Sequence, residues 1–240
     1  MGKISDAELL RLVEAAFDSI AEAYLAAEDT EACRTFSGEM LELLGDVSGK
    51  HILDAGCGFG QQAEILIQRG ARVTGVDISG RLISLAQDRV GRSKFAKFIK
   101  ADIRAYLKSQ RGRFDGIISF FELMFHRDIE GVLRQFARAL KKEGSLLVLL
   151  PHPVRNMGMH DPPDYFATGL FAEEWRTGRF WKYYKGLGDY VNAVVTCGFH
   201  VRRLLEPVPP REKVAFYDVH SCFPRGIRYP QCLVILCQKI

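Results

Sequence analysis

Between residues 51 and 150, short apolar runs alternate with stretches of helical periodicity, and this alternation narrows the fold more than any other feature. The runs are His51–Ala55, Ala71–Val76, Phe95–Ile99, Phe114–Phe120 and Ser145–Leu150. Between them lie Gln61–Gln68, Arg81–Val90 with Ser79 as its cap, and Ile129–Lys141. Strands that read as continuous apolar runs are covered on both faces, which is the habit of parallel sheets. Right-handed crossovers then predict a doubly wound α/β sheet.

Two helices precede this core. Leu9, Leu12, Val13, Ala16, Phe17, Ile20, Ala21 and Tyr24 recur at helical spacing over residues 5–28, and a second helix is predicted over 30–45. After Pro151 the rhythm breaks. Residues 151–187 carry Pro151, Pro153, Pro162 and Pro163 early on, and no long strand is predicted there. Leu187–Cys197 returns to helical spacing, and Phe199–Val208 and Gln231–Lys239 read as closing strands. The expected organisation is a single domain. It comprises an N-terminal helical lid (1–45), a central half (46–150), an aromatic insertion (151–187), and a C-terminal helix with closing strands (188–240).

Composition removes several classes. With 33 basic and 29 acidic residues in 240, the net charge of +4 is too small to indicate nucleic acid or an anionic membrane surface. Met-Gly-Lys-Ile-Ser-Asp lacks the apolar core of a signal peptide, and no apolar run is long enough to span a bilayer. The six cysteines form no C-x-x-C pair, so they read as mostly reduced and buried thiols of a cytoplasmic protein, with no zinc site.

Chemistry concentrates at predicted strand ends. Asp54-Ala-Gly56-Cys-Gly58-Phe-Gly60 follows the first strand and opens a helix. Its glycines let the backbone turn tightly and approach a ligand, and helix-start amides favour an anion. The spacing is G-x-G-x-G, not the G-x-G-x-x-G of a dinucleotide site. Asp54 would repel a pyrophosphate yet suits a ligand carrying an ammonium group. Asp77 ends the second strand, where a carboxylate can accept from both hydroxyls of a ribose. Asp102 follows the third, where it can accept from an adenine amino group. Each acid alone reads equally well as a helix cap; the ordered set points to one crevice.

In these residues the chain resembles class I S-adenosylmethionine-dependent methyltransferases, in their small-molecule branch. Phe17–Tyr24 looks like the family's lid segment, Leu53–Gly60 its glycine-rich motif, Gly75–Ser79 its ribose segment and Ala101–Ile103 its adenine side. Phe114–Phe120 is similar to its fourth strand, and Leu140–Gly144 to the turn before the fifth, with Glu143 where glycine is usual. The resemblance implies a Rossmann-like sheet of seven mostly parallel strands, the last antiparallel. It also implies S-adenosyl-L-methionine as cofactor, S-adenosyl-L-homocysteine as product, and a small-molecule acceptor. Gly56 and Gly58 would contact the methionine end together with Asp54. Asp77 would hold the ribose, Ile78 and Ile103 flank the adenine, Asp102 accept its amino group, Tyr24 close over the cofactor, and Phe120 lie beside the methyl.

Methyl transfer to a hydroxyl or protonated amine needs a base, and histidine suits neutral pH. His126, just past the fourth strand, and His152, just past the fifth, are the candidates; either reads alternatively as a packing or capping residue. His160 and His220 lie in irregular segments, and His51 and His200 flank core strands. Residues 151–187 hold eight of the chain's 26 aromatics, including both tryptophans, which predicts an aromatic substrate lid. Phe121, Trp181 and Tyr184 are the predicted acceptor contacts. Asp161-Pro-Pro-Asp-Tyr165 resembles an amino-methylation motif, but it carries an extra residue and follows the wrong strand. The alternatives are a methyltransferase acting on peptide, protein or RNA, a non-catalytic cofactor-binding relative, or a nicotinamide dehydrogenase.

Overall fold

Most helices begin where a side chain satisfies the first free amides. Ser5 accepts from the Glu8 amide at the head of α1 (Asp6–Glu28), and Thr30 from that of Cys33 in α2 (Glu31–Glu42). Ser79 caps α4 (Gly80–Val90) as predicted, Asp102 caps α5 (Ile103–Leu107), and Asp128 caps α6 (Ile129–Ala139). α3 (Gln61–Gln68) instead starts from Gly60 in a left-handed conformation. The structure, a computed structural model, describes residues 4–157, 164–175, 178–207 and 230–240.

Seven strands form the main sheet: β1 (His51–Ala55), β2 (Arg72–Asp77), β3 (Ala96–Lys100), β4 (Phe114–Phe120), β5 (Leu140–Pro151), β8 (Phe199–Leu205) and β9 (Cys232–Lys239). Their order is β3-β2-β1-β4-β5-β9-β8. β1 to β5 run parallel, and β9 is antiparallel to both β5 and β8. This is the doubly wound, mostly parallel sheet that the sequence predicts.

Alternate strand residues serve opposite faces. Leu53, Ile117, Val148 and Ile235 pack with Leu133, Phe136 and Val194 of α6 and α8 (Leu187–Thr196). Their neighbours Ile52, Ile118, Leu147 and Val234 pack with Leu41, Ala63 and Leu66 of α2 and α3. Strand order reverses between β1 and β4, which opens a crevice at their carboxyl ends.

Two details differ from expectation. β5 starts at Leu140, because the expected turn is an irregularity inside the strand, between the pairs Phe114–Leu140 and Gly116–Ser145. Glu143 there takes φ +59, the left-handed backbone that favours glycine. The aromatic stretch also holds two long strands, β6 (Gly169–Trp175) and β7 (Gly178–Tyr184), paired as an antiparallel hairpin after a short α7 (Pro153–Met157). The prolines lie upstream of this alternating run and do not interrupt it. Among the described residues no helix is long and apolar enough to cross a membrane. The five described cysteines form no disulfide.

Candidate active site

The loop after β1 doubles back on β2, with the Gly56 and Cys57 amides donating to the Val76 carbonyl at 2.8 and 3.1 Å. Gly56 takes φ +75, and a Cβ there would lie 2.8 Å from Cβ of Glu122, so only glycine lets β4's exit approach so closely. Gly58 takes φ +50, and a Cβ there would meet no atom within 4 Å. It faces the open crevice, with its amide donated to Asp77.

The three acids converge on this edge. Asp54 is 1% exposed, and its Oδ2 has no hydrogen-bond partner. Burial, with the Asp77 charge adding to it, pushes its carboxyl up to about 8. Asp77 accepts from the Gly58 amide at 2.9 Å and the Ser79 amide at 2.8 Å. Burial dominates there too; Glu122 and Asp18 raise the group further against those two amides, to about 7. Asp102 caps α5 through Oδ1, 2.8 Å from the Ala105 amide, while its buried Oδ2 makes no hydrogen bond. Oδ1 thus serves as the helix cap, while Oδ2 lies 3.7 Å from the Arg104 guanidinium.

Two spaces meet at the loop. An open, largely apolar crevice is lined by Tyr24, Gly58, Phe120, Phe121, Met124 and Arg155, among others. Beyond Gly56 a second cavity is lined by Asp77, Ile78, Asp102, Ile103 and Glu122, and α1 roofs it with Leu10 and Val13. Its volume of about 20 Å³ holds little more than one water.

Residues 53–148, from the end of β1 into β5, match the family model for the methyltransferase domain. This part of the chain is therefore similar to the methyltransferase domain. A demethylmenaquinone methyltransferase of Tropheryma whipplei is 35% identical over 117 residues, covering 48% of this chain and 47% of that protein. A ubiquinone biosynthesis O-methyltransferase of Coxiella burnetii is 36% identical over 101 residues, covering 42% and 43%. The chain thus spans about half the length of these relatives. The solved structure of an S-adenosylmethionine dependent methyltransferase from Listeria monocytogenes superposes with a TM-score of 0.75 at 22% identity, over 88% of this chain and all of that one, a likeness of fold.

Within this methyltransferase fold, Tyr24, Gly56, Gly58, Asp77, Ile78, Asp102, Ile103 and Phe120 all line one of the two spaces, and Asp54 lies buried at the end of β1. Tyr24 stacks edge-on against Phe59 at 5.7 Å, which ties the end of α1 to the glycine loop.

The histidines are placed differently. His126 is 2% exposed and its Nε2 lies 2.8 Å from Oε1 of Glu122, so Glu122, not His126, faces the cavity. His152 is equally buried. Its Nδ1 accepts from the Val154 amide at 3.1 Å, and its Nε2 lies 2.9 Å from Glu206. Nδ1 thus serves a local turn, and only Nε2 reaches across to Glu206, just past β8. Burial also lowers its pKa against the opposing pull of Glu206. His160 and His220 lie outside the described residues, as does Asp161-Pro-Pro of the resembling motif.

Of the predicted acceptor contacts only Phe121 lines the crevice. Trp181 and Tyr184 line a separate groove with Ile4, Arg127 and Lys185. The hairpin lays β7 alongside α1, with Phe180 4.9 Å from Phe17, and so carries these rings away from the crevice. Sequence reasoning missed Glu122 and Arg155. Glu122 reaches Gly56 because Phe121 takes φ +58, a non-glycine left-handed residue that no periodicity signals. A lone Arg past a strand end carries no motif at all.

Proposed function

We propose that the protein transfers a methyl group from S-adenosyl-L-methionine to an oxygen, nitrogen or carbon of a small, apolar or aromatic metabolite. One observation carries the reading: a buried, hydrogen-bond-orphaned carboxylate oxygen on Asp54 beside a glycine loop open at Gly58. An unpaired buried acid is costly and calls for a cationic partner, which the cofactor's ammonium group would be. Asp54, Gly56 and Gly58 would hold the methionine end, Asp77 the ribose, and Ile78, Ile103 and Asp102 the adenine, with Tyr24 over the cofactor. Once bound, the cofactor supplies an already activated sulfonium methyl.

What remains for the chain is alignment and exclusion of water, and alignment alone is worth about 7–11 kcal/mol of barrier. Phe120, Phe121, Met124 and Leu149 form the apolar wall beside the loop. His126 holds Glu122 against Gly56 and is a positioning residue in this reading. His152 serves the sheet ends. The slight net charge favours a small acceptor over a nucleic acid, and the free cysteines favour a cytoplasmic setting. The two relatives are named for demethylmenaquinone and for ubiquinone biosynthesis, in keeping with an apolar acceptor.

Calorimetry with S-adenosylhomocysteine tests the reading directly. We expect binding by the intact chain, at least tenfold weaker binding by Asp77→Ala through loss of charge-assisted contacts, and none of NAD. Unchanged affinity in Asp77→Ala, or competition by NAD, is the contrary result.

A further inference from the structure

In the loop that turns from β1 into α3, Phe59 sits between two glycines at positive φ, Gly58 at +50 and Gly60 at +81. A residue flanked by glycines has much backbone freedom, and holding it in one conformation costs entropy. The Gly58 amide donates to Asp77, and the Gly60 amide to the Cys57 carbonyl at 2.9 Å. A further bond comes from outside the loop. The Phe59 carbonyl accepts from Nε of Arg89, in the last turn of α4, at 3.0 Å.

Arg89 is itself firmly held. Its side chain is 10% exposed, Nη1 donates to Glu64 Oε2 at 3.0 Å, and Nη2 donates to Asp29 Oδ2 at 2.7 Å. The guanidinium also lies 5.1 Å from the Phe59 ring centroid. Arg34 bonds the same two acids, Asp29 at 2.9 and 3.2 Å and Glu64 at 3.0 Å. Two arginines and two acids thus close a ring that joins the corner between α1 and α2 to α2, α3 and α4. With both Nη atoms engaged, the planar guanidinium has one orientation, and that orientation puts Nε on the loop.

We propose that Arg89 is a positioning residue of the cofactor site, holding Phe59 and with it the glycine loop in the conformation that receives the methionine end of S-adenosyl-L-methionine. A preformed loop spares the ligand the entropy of ordering it. Asp29, at the corner between α1 and α2, acts on the loop at one remove by orienting Arg89. The assignment rests on the methyltransferase reading above.

The test uses Arg89→Lys. A lysine has a methylene where arginine has Nε, so the charge facing Asp29 and Glu64 stays and the donor to Phe59 goes. Arg34→Gln is the control, since it opens the ring and leaves the bond to Phe59. Each chain is measured for S-adenosylhomocysteine affinity by calorimetry. Without ligand, hydrogen exchange of the Gly58 and Gly60 amides is compared by NMR with that of Ile117 and Val148 in β4 and β5. Arg89→Lys should weaken S-adenosylhomocysteine about tenfold, in keeping with loss of one charge-assisted hydrogen bond. It should speed exchange at Gly58 and Gly60 about as much, while the strand amides keep their protection. Arg34→Gln should leave both quantities within about twofold of the unaltered chain. The proposal is overturned if Arg89→Lys changes neither quantity or if Arg34→Gln changes both as strongly. It is also overturned if loop and strand amides accelerate alike, since Arg89 would then serve stability alone. Failure of S-adenosylhomocysteine to bind the unaltered chain removes the methyltransferase reading and the cofactor role together. The exchange measurement needs no ligand, and it decides separately whether Arg89 holds the loop.

Discussion

A carboxyl held at about 8 at the end of β1 keeps its proton at neutral pH, and this has consequences in two directions. In the unliganded protein Asp54 binds its proton more tightly folded than unfolded. Stability is therefore greatest at the acid end of the window and falls as pH rises from about 4 to about 8. Asp77, at about 7, acts in the same sense. A cationic ligand reverses the preference by favouring the charged form, so binding at pH 7 should release protons. We expect S-adenosylhomocysteine affinity to rise several-fold between pH 6 and 8, with proton release seen as a buffer-dependent calorimetric heat, and Asp54→Asn to flatten both. An affinity independent of pH would sink this account. Asp54, Asp77 and Asp102 were legible as an ordered set at three successive strand ends, although each alone reads equally well as a helix cap. Glu122 was not, since its place depends on the left-handed Phe121 and on contact with Gly56 across the crevice.

The helix α1 shows the same limit for a whole element. Its apolar spacing predicts a helix that packs, and the resemblance implies a lid, but neither tells how firmly it is held. Asp18 accepts from the Ser79 hydroxyl at 2.5 Å and the Arg81 amide at 3.1 Å, and Glu14 pairs with Lys100 at 2.7 Å. At the far end Asp29 takes Arg89 at 2.7 Å, whose guanidinium also sits 5.1 Å over the Phe59 ring. These contacts seat Leu10 and Val13 over a cavity far too small for an adenosyl group. In the proposed reading, entry of the cofactor requires α1 to lift. Removing one bonded group of about 1 kcal/mol should ease that step about fivefold. Stopped-flow association of S-adenosylhomocysteine should accordingly be several-fold faster with Asp18→Ala, and an unchanged or slower rate would show that α1 does not gate the site. The β6–β7 hairpin was missed for a local reason. Its alternation is masked in the sequence by the prolines before it and by an even spread of aromatics over both faces.

The hairpin, the lid helix and the end of β4 form one packed layer in the whole molecule, through Phe17, Phe125 and Phe180. Phe180 is 1% exposed, and truncating such a ring leaves a cavity costing about 3–5 kcal/mol. Phe180→Ala should therefore lower the urea midpoint markedly, whereas truncating the exposed Phe166 should leave it nearly unchanged. Equal effects would mean that the layer does not bear on stability. The sequence by itself determined the doubly wound sheet and the acids at successive strand ends, which follow from periodicity and chain direction and so are local or repeat along the chain. The closing antiparallel strand was implied only by the family resemblance. Only the tertiary structure decided that His126 pairs with Glu122 and His152 with Glu206, that Trp181 and Tyr184 line another groove, and that Arg155 lines the crevice. Each of these depends on which face of an element meets which neighbour across a large sequence separation, and no spacing within a segment encodes that choice.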